Sequence, residues 1–200
     1  MATTIEQLVN QALRRTSYKI EIGYIYEGSQ AARMALTLYG QTRDELLRSQ
    51  DWPFARRVAP LTLLKTAPVG GYGPTGWTDA YPQAPWIYEY AYPDTCLELR
   101  SVRPTPIIIP EYDPQPNVFT EANDLTVSPT KVVLTNLRNA LAVFTGQIND
   151  PSQWEPTFTE ALVEGLGRRL AEGLGANTDS VKTQFQIAQA AEAKADRIRG

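Results

Sequence analysis

Two hundred residues with 42% apolar and 20% charged side chains suit one soluble domain, or one domain with a sizeable insertion. A net charge of -3 and a pI near 5.1 exclude a nucleic-acid binder that works by bulk electrostatics. There is no histidine and one cysteine, Cys96, which removes Ser-His-Asp and Cys-His nucleophiles, histidine-bearing zinc sites and an intramolecular disulfide. No window approaches a membrane span, and Met1 to Glu6 has neither the basic nor the apolar region of a signal peptide.

Residues 1 to about 52 read as helical. Thr3 and Glu6 stand at capping-box spacing, and Ile5, Leu8, Val9, Ala12 and Leu13 recur at helical intervals. Gly23 to Gly28 interrupts the pattern, and Ser29 is placed to cap a second helix. The apolar face of that helix takes in Ala31, Met34, Ala35, Leu38 and Leu46, and its polar face carries Arg33, Gln41, Asp44 and Arg48. It must stop at Trp52-Pro53-Phe54, because Pro53 lacks an amide donor and pushes Trp52 toward an extended backbone.

From about residue 55 to 147 the composition changes. Ten of the fifteen prolines lie between Pro68 and Pro116. Strand-like runs appear at 58–64, 86–91, 96–102, 132–135 and 141–144, with Trp86, Tyr88 and Tyr90 alternating against Ile87 and Glu89. Helix returns after residue 150. Pro156 suits a first helical position, and Phe158, Leu162, Leu166 and Leu170 form an i,i+4 ridge beside the small Ala161, Gly165 and Gly173. Thr178 is placed to cap a last helix with Val181, Phe185, Ala188 and Ile198 on one face. The predicted fold is therefore α+β. Residues 1-54 and 148-200 form a four-helix bundle, two helices from each end, and 55-147 form an inserted small antiparallel β region with long Pro-rich loops.

Few residues carry a chemical signal. Gly71 to Gly76 matches G-x-G-x-x-G in form, but Pro74 removes an amide, and Pro82 and Pro85 block the helix a dinucleotide site needs. The segment reads as a loop whose Tyr72 and Trp77 could touch another chain. Glu89, Asp94 and Glu98 fall near one predicted hairpin. They are the basis for the alternative reading, a small enzyme or ligand-binding α+β domain using an acidic hairpin.

The basic pairs Arg14-Arg15, Arg56-Arg57, Arg168-Arg169 and Arg197/Arg199 are dispersed, as are Arg43 and Arg48, and of these Arg43, Arg48, Arg56, Arg57, Arg168, Arg169, Arg197 and Arg199 are singled out. Together with Trp52, Phe54, Tyr72 and Trp77 they are candidate interface residues, since arginine and large aromatics anchor protein contacts.

Three patches together resemble the phage head-to-tail connector adaptors, the tail tubular protein A type and related head completion adaptors. They are Arg43-Asp44-Glu45-Leu46-Leu47 through Trp52-Pro53-Phe54-Ala55-Arg56, then Trp86-Ile87-Tyr88-Glu89-Tyr90 with Tyr92-Pro93-Asp94-Thr95-Cys96-Leu97-Glu98-Leu99-Arg100, then Asn149-Asp150-Pro151 with Trp154-Glu155-Pro156 and Phe158. The resemblance runs from about residue 29 to 199. It implies a non-enzymatic structural protein of the virion, without a cofactor or a metal. It further implies a homo-oligomeric ring, commonly a dodecamer, in the viral neck at the head-tail interface, assembled in the host cytoplasm. The implied partners are the portal protein, a tail or nozzle protein and further copies of the chain, with phage DNA passing through the channel without specific binding and no membrane.

Overall fold

A computed structural model describes residues 4–16, 21–72, 76–104, 118–124, 126 and 130–174. The chain divides into two compact units, Met1–Gln50 with Ile148–Gly200, and Asp51–Gln147.

In the first unit, α1 (Ile5–Arg14) begins with a capping box at Thr4 and Gln7, one residue later than the Thr3–Glu6 spacing suggests. The Gln7 amide donates to Thr4 Oγ1 at 3.3 Å, and the Thr4 amide donates to Gln7 Oε1 at 3.0 Å. After α1 the Asn10 side chain brackets Ile22, donating to its carbonyl at 2.9 Å and accepting from its amide at 2.8 Å. α2 (Gln30–Ser49) starts at the Ser29 cap, whose hydroxyl accepts from the Ala32 amide. Its buried face is Ala31, Ala32, Ala35, Tyr39, Thr42, Arg43 and Leu47, with a spacing of four running through it from Ala31 to Leu47. Met34, Leu38 and Leu46 are only half-buried beside it.

α3 (Pro156–Gly173) carries the Phe158, Leu162, Leu166 and Leu170 ridge, all of it fully buried. Both α1 and α2 pack on α3. Gly167 permits this on one side, because a Cβ there would sit 3.1 Å from the Ala12 carbonyl oxygen of α1. Two ion pairs add to the contacts, Arg15 with Glu164 and Arg169 with Glu45.

The second unit holds β1 (Arg56–Pro60), β2 (Leu63–Thr66), β3 (Tyr88–Ala91), β4 (Cys96–Pro104), β5 (Phe119–Asp124), β6 (Thr130–Thr135) and β7 (Ala140–Gly146). They form two antiparallel sheets, a three-stranded β1-β7-β4 and a four-stranded β2-β3-β6-β5. The chain changes sheet four times, at residues 61–62, at 92–95, between β4 and β5, and at 136–139. Leu61, Tyr90, Leu99, Val102, Val133, Ala140, Ala142 and Phe144 are the core of this unit.

The expected four-helix bundle is not the architecture. Among the described residues there are three helices and seven strands in two antiparallel sheets. The helix expected from Thr178 onward lies outside the described residues. The β part is larger than the apolar runs suggest because several strands show water as much as core. β5 exposes Thr120, Glu121 and Asn123, and β1 begins with two exposed arginines, so neither forms an apolar run.

Candidate functional site

The alternation of β3 sends Tyr88 and Tyr90 to the core side and Glu89 to the opposite face. Register then decides which residues share that face. Glu89 stands opposite Lys65 of β2 and Leu134 of β6, and Val132 of β6 stands opposite Ala122 of β5, two residues before Asp124. Lys65, Glu89, Ala122, Asp124, Val132 and Leu134 line a cleft of about 330 Å³, together with Trp77, Asp79 and Gln83 of the preceding loop.

Two aromatic side chains hold that loop. The Tyr72 hydroxyl donates to the Pro82 carbonyl at 2.6 Å and reaches that of Trp86 at 3.1 Å. Trp77 Nε1 donates to the same Pro82 carbonyl at 2.7 Å. The edge of the indole is thus engaged while 46% of the residue stays exposed.

Three charges meet on the floor. Lys65 Nζ lies 2.7 Å from Asp124 Oδ2 and 3.4 Å from Glu89 Oε1. Glu89 is only 4% exposed, and its Oε1 accepts no hydrogen bond among the described residues. Burial pushes the Glu89 carboxyl above its ordinary range, with the neighbouring Asp124 adding to the effect and Lys65 opposing it. Asp124 moves the other way, down to about 2, chiefly through the hydrogen bond from Lys65 and further through the Thr126 amide. Burial disfavours the Lys65 charge, but the Asp124 hydrogen bond and the charge of Glu89 outweigh it and hold the ammonium above its usual range.

These shifts fix a pH dependence. The unfolded chain holds the Asp124 proton more tightly than the folded one. Its contribution to stability is therefore complete above the ordinary value of 3.8 and is lost as pH falls toward about 2. Glu89 has the opposite sign, and its contribution declines as pH rises above its ordinary 4.5. Asp124→Asn should cost about 1–2 kcal/mol at pH 7, allowing for solvent screening, and little at pH 2. Urea melts of both proteins at the two pH values check this.

The acidic hairpin itself does not assemble into one site. Asp94 is exposed in the turn before β4, and Glu98 lies on β4 in the three-stranded sheet, whereas Glu89 belongs to the four-stranded one. The charged partners of Glu89 are Lys65 and Asp124, from β2 and β5. Cys96 is half-buried, and burial raises its thiol. Beside it Lys131 Nζ stands 3.9 Å over the Tyr92 ring and 2.5 Å from Glu121.

The candidate interface residues have varied fates. Arg43 is buried, 2.7 Å from Asp44, and Trp52 is buried with its ring 6.0 Å from that of the half-buried Phe54. Arg48 and Arg168 are exposed, Arg56 pairs with Asp51 at 2.5 Å, and Arg57 donates to the carbonyls of Phe54 and Arg56. Arg169 is committed to Glu45 within the helical unit. Arg197 and Arg199 lie outside the described residues.

What the sequence reading did not single out is a set of apolar side chains on strand edges. Val58 of β1 and Leu63 of β2 are 61% and 51% exposed, and Leu64 and Val118 are exposed as well. β1 and β2 are each the outermost strand of a sheet. The signal available in sequence was the short apolar run at 58–64, preceded by Arg56 and Arg57 and interrupted by Pro60.

Among the described residues no three acidic or thiol side chains are placed to hold a metal ion, and no helix is long and apolar enough to cross a membrane. No protein-family model matches the sequence, and no characterised protein matches it.

Proposed function

We propose that this chain is a non-enzymatic adaptor of a phage neck, which closes into a ring between portal and tail around the DNA channel. The observation that carries the reading is the set of exposed apolar side chains on two outermost strands. β1 and β2 end their sheets and present Val58, Leu63 and Leu64 to solvent. An outermost strand offers unpaired backbone groups to another chain, and monomeric proteins usually guard such edges with charge, proline or a covering loop. A ring of identical copies covers every edge of this kind by closing on itself. Pro60 and the arginines of β1 limit open-ended pairing, as expected where the partner surface is specific.

The three resembling patches supply the rest of the reading: the portal above, a tail or nozzle protein below, and a ring of twelve copies in the virion neck. The work is binding alone. The acidic net charge suits a channel past which DNA slides without sticking.

Mass photometry of the purified chain with the portal protein of the same phage tests this. The expected result is a single product heavier than the portal by a full ring, lost when Val58 and Leu63 are both changed to lysine in a protein whose melting is unaltered. A portal that stays bare while the chain remains at monomer mass overturns the reading.

A further inference from the structure

We propose that the cleft on the outer face of the four-stranded sheet is a binding site for an arginine side chain presented by another protein chain. Its walls hold three carboxylates, Asp79, Glu89 and Asp124, against one cation, Lys65. Lys65 lies 2.7 Å from Asp124 and 3.4 Å from Glu89, so a single cation is shared between two of the three carboxylates and the cleft keeps an excess of acidic groups. Glu89 is the decisive group. It is 96% buried, it faces the cleft, and its Oε1 accepts no hydrogen bond among the described residues. Its one charged contact there is the long 3.4 Å ion pair to Lys65, so this buried oxygen still has room for a well-directed donor.

The shape of the cleft selects the donor. A guanidinium is planar, permanently charged and weakly hydrated, and it offers a fork of N–H groups to carboxylates on one side while stacking on an aromatic face. Trp77 provides that face, with its Nε1 edge already anchored on Pro82 and the residue still about half exposed. Val132, Leu134 and Ala122 provide apolar floor for the methylene stem. The volume of about 330 Å³ accommodates one long side chain. A divalent metal fits poorly, since the Lys65 ammonium occupies the point between Glu89 and Asp124. The inference stands on the cleft alone and is independent of ring assembly.

The test is a titration of the full chain, at low salt, with N-acetyl-arginine amide and with the uncharged isostere N-acetyl-citrulline amide, read by the Trp77 indole N–H resonance. Saturable shifts are expected with the arginine compound only, and binding should weaken about tenfold or more in Glu89→Gln and in Trp77→Ala. Trp77 lies on an exposed loop, so its variant keeps the comparison valid if Glu89→Gln unfolds. Equal responses to the two compounds, no saturation with the arginine compound, or undiminished binding in a folded Trp77→Ala protein would overturn the proposal.

Discussion

Phe158→Ala is expected to destabilise the helical unit by about 3–5 kcal/mol. Phe158 is fully buried in the first turn of α3, and its ring meets that of Trp154 edge-on at 5.1 Å. Trp154 in turn lies 6.5 Å from Tyr39 of α2 and donates its Nε1 hydrogen to the Ile148 carbonyl at 3.2 Å. Removing the ring opens a cavity at the start of the ridge on which both α1 and α2 pack, and it takes away the edge-to-face contact as well. The site cannot collapse easily, because Leu162 next along the ridge is itself fully buried. Phe158→Leu keeps most of the volume and should cost less than about 1.5 kcal/mol. Amide exchange in α1, α2 and α3 measures both variants. A loss below about 1 kcal/mol for Phe158→Ala would show that the ridge does not organise this unit.

The second large effect belongs to the β unit. Tyr90→Ala should cost about 3–5 kcal/mol, read from exchange of the β6 and β7 amides so that unfolding of the other unit does not enter. Tyr90 is the largest of the fully buried side chains. Its ring lies 6.2 Å from Tyr88, and its hydroxyl donates to the Leu137 carbonyl at 2.8 Å. Leu137 sits in the crossing from β6 to β7, two residues before Asn139, which has a φ of 54°. The hydrogen bond therefore holds a turn whose backbone few residues adopt willingly. Tyr90→Phe separates the two contributions. It should lose about 1 kcal/mol for the hydroxyl alone and loosen the β6–β7 turn selectively. If Phe and Ala variants are equally unstable, the ring contributes nothing and the packing account of this core is wrong.

Local chemistry explains which features could be read in advance. Ser29 caps α2, Pro156 opens α3 and Pro53 follows the end of α2 within a few residues, because each acts on backbone groups beside it. Trp52 is extended before Pro53, with ψ at 122°, as the proline ring demands. Features that need a partner far along the chain were not readable. The spacing-of-four stripe from Ala31 to Leu47 turns Arg43 inward, against the outward position its charge suggests. Gly167 is needed only because the Ala12 carbonyl comes close, and nothing within α3 announces that.

The same limit governs the cleft. Glu89 could be singled out from its own strand, but Lys65 and Asp124 join it only once three other strands have settled their registers. Asp94 and Glu98 are nearer to Glu89 in sequence and lie elsewhere, because the chain changes sheet between β3 and β4. The bundle expectation failed for a related reason. Half-exposed strands such as β5 hide a second sheet that becomes visible only through its pairing with β6.

The proposed ring is decided by an image of a phage neck assembled with this chain. The expected image shows a closed ring of this chain directly below the portal, with β1 and β2 of each copy covered by protein. A map in which the portal meets the tail with no density for this chain, or in which Val58 and Leu63 face solvent in every copy, would contradict it.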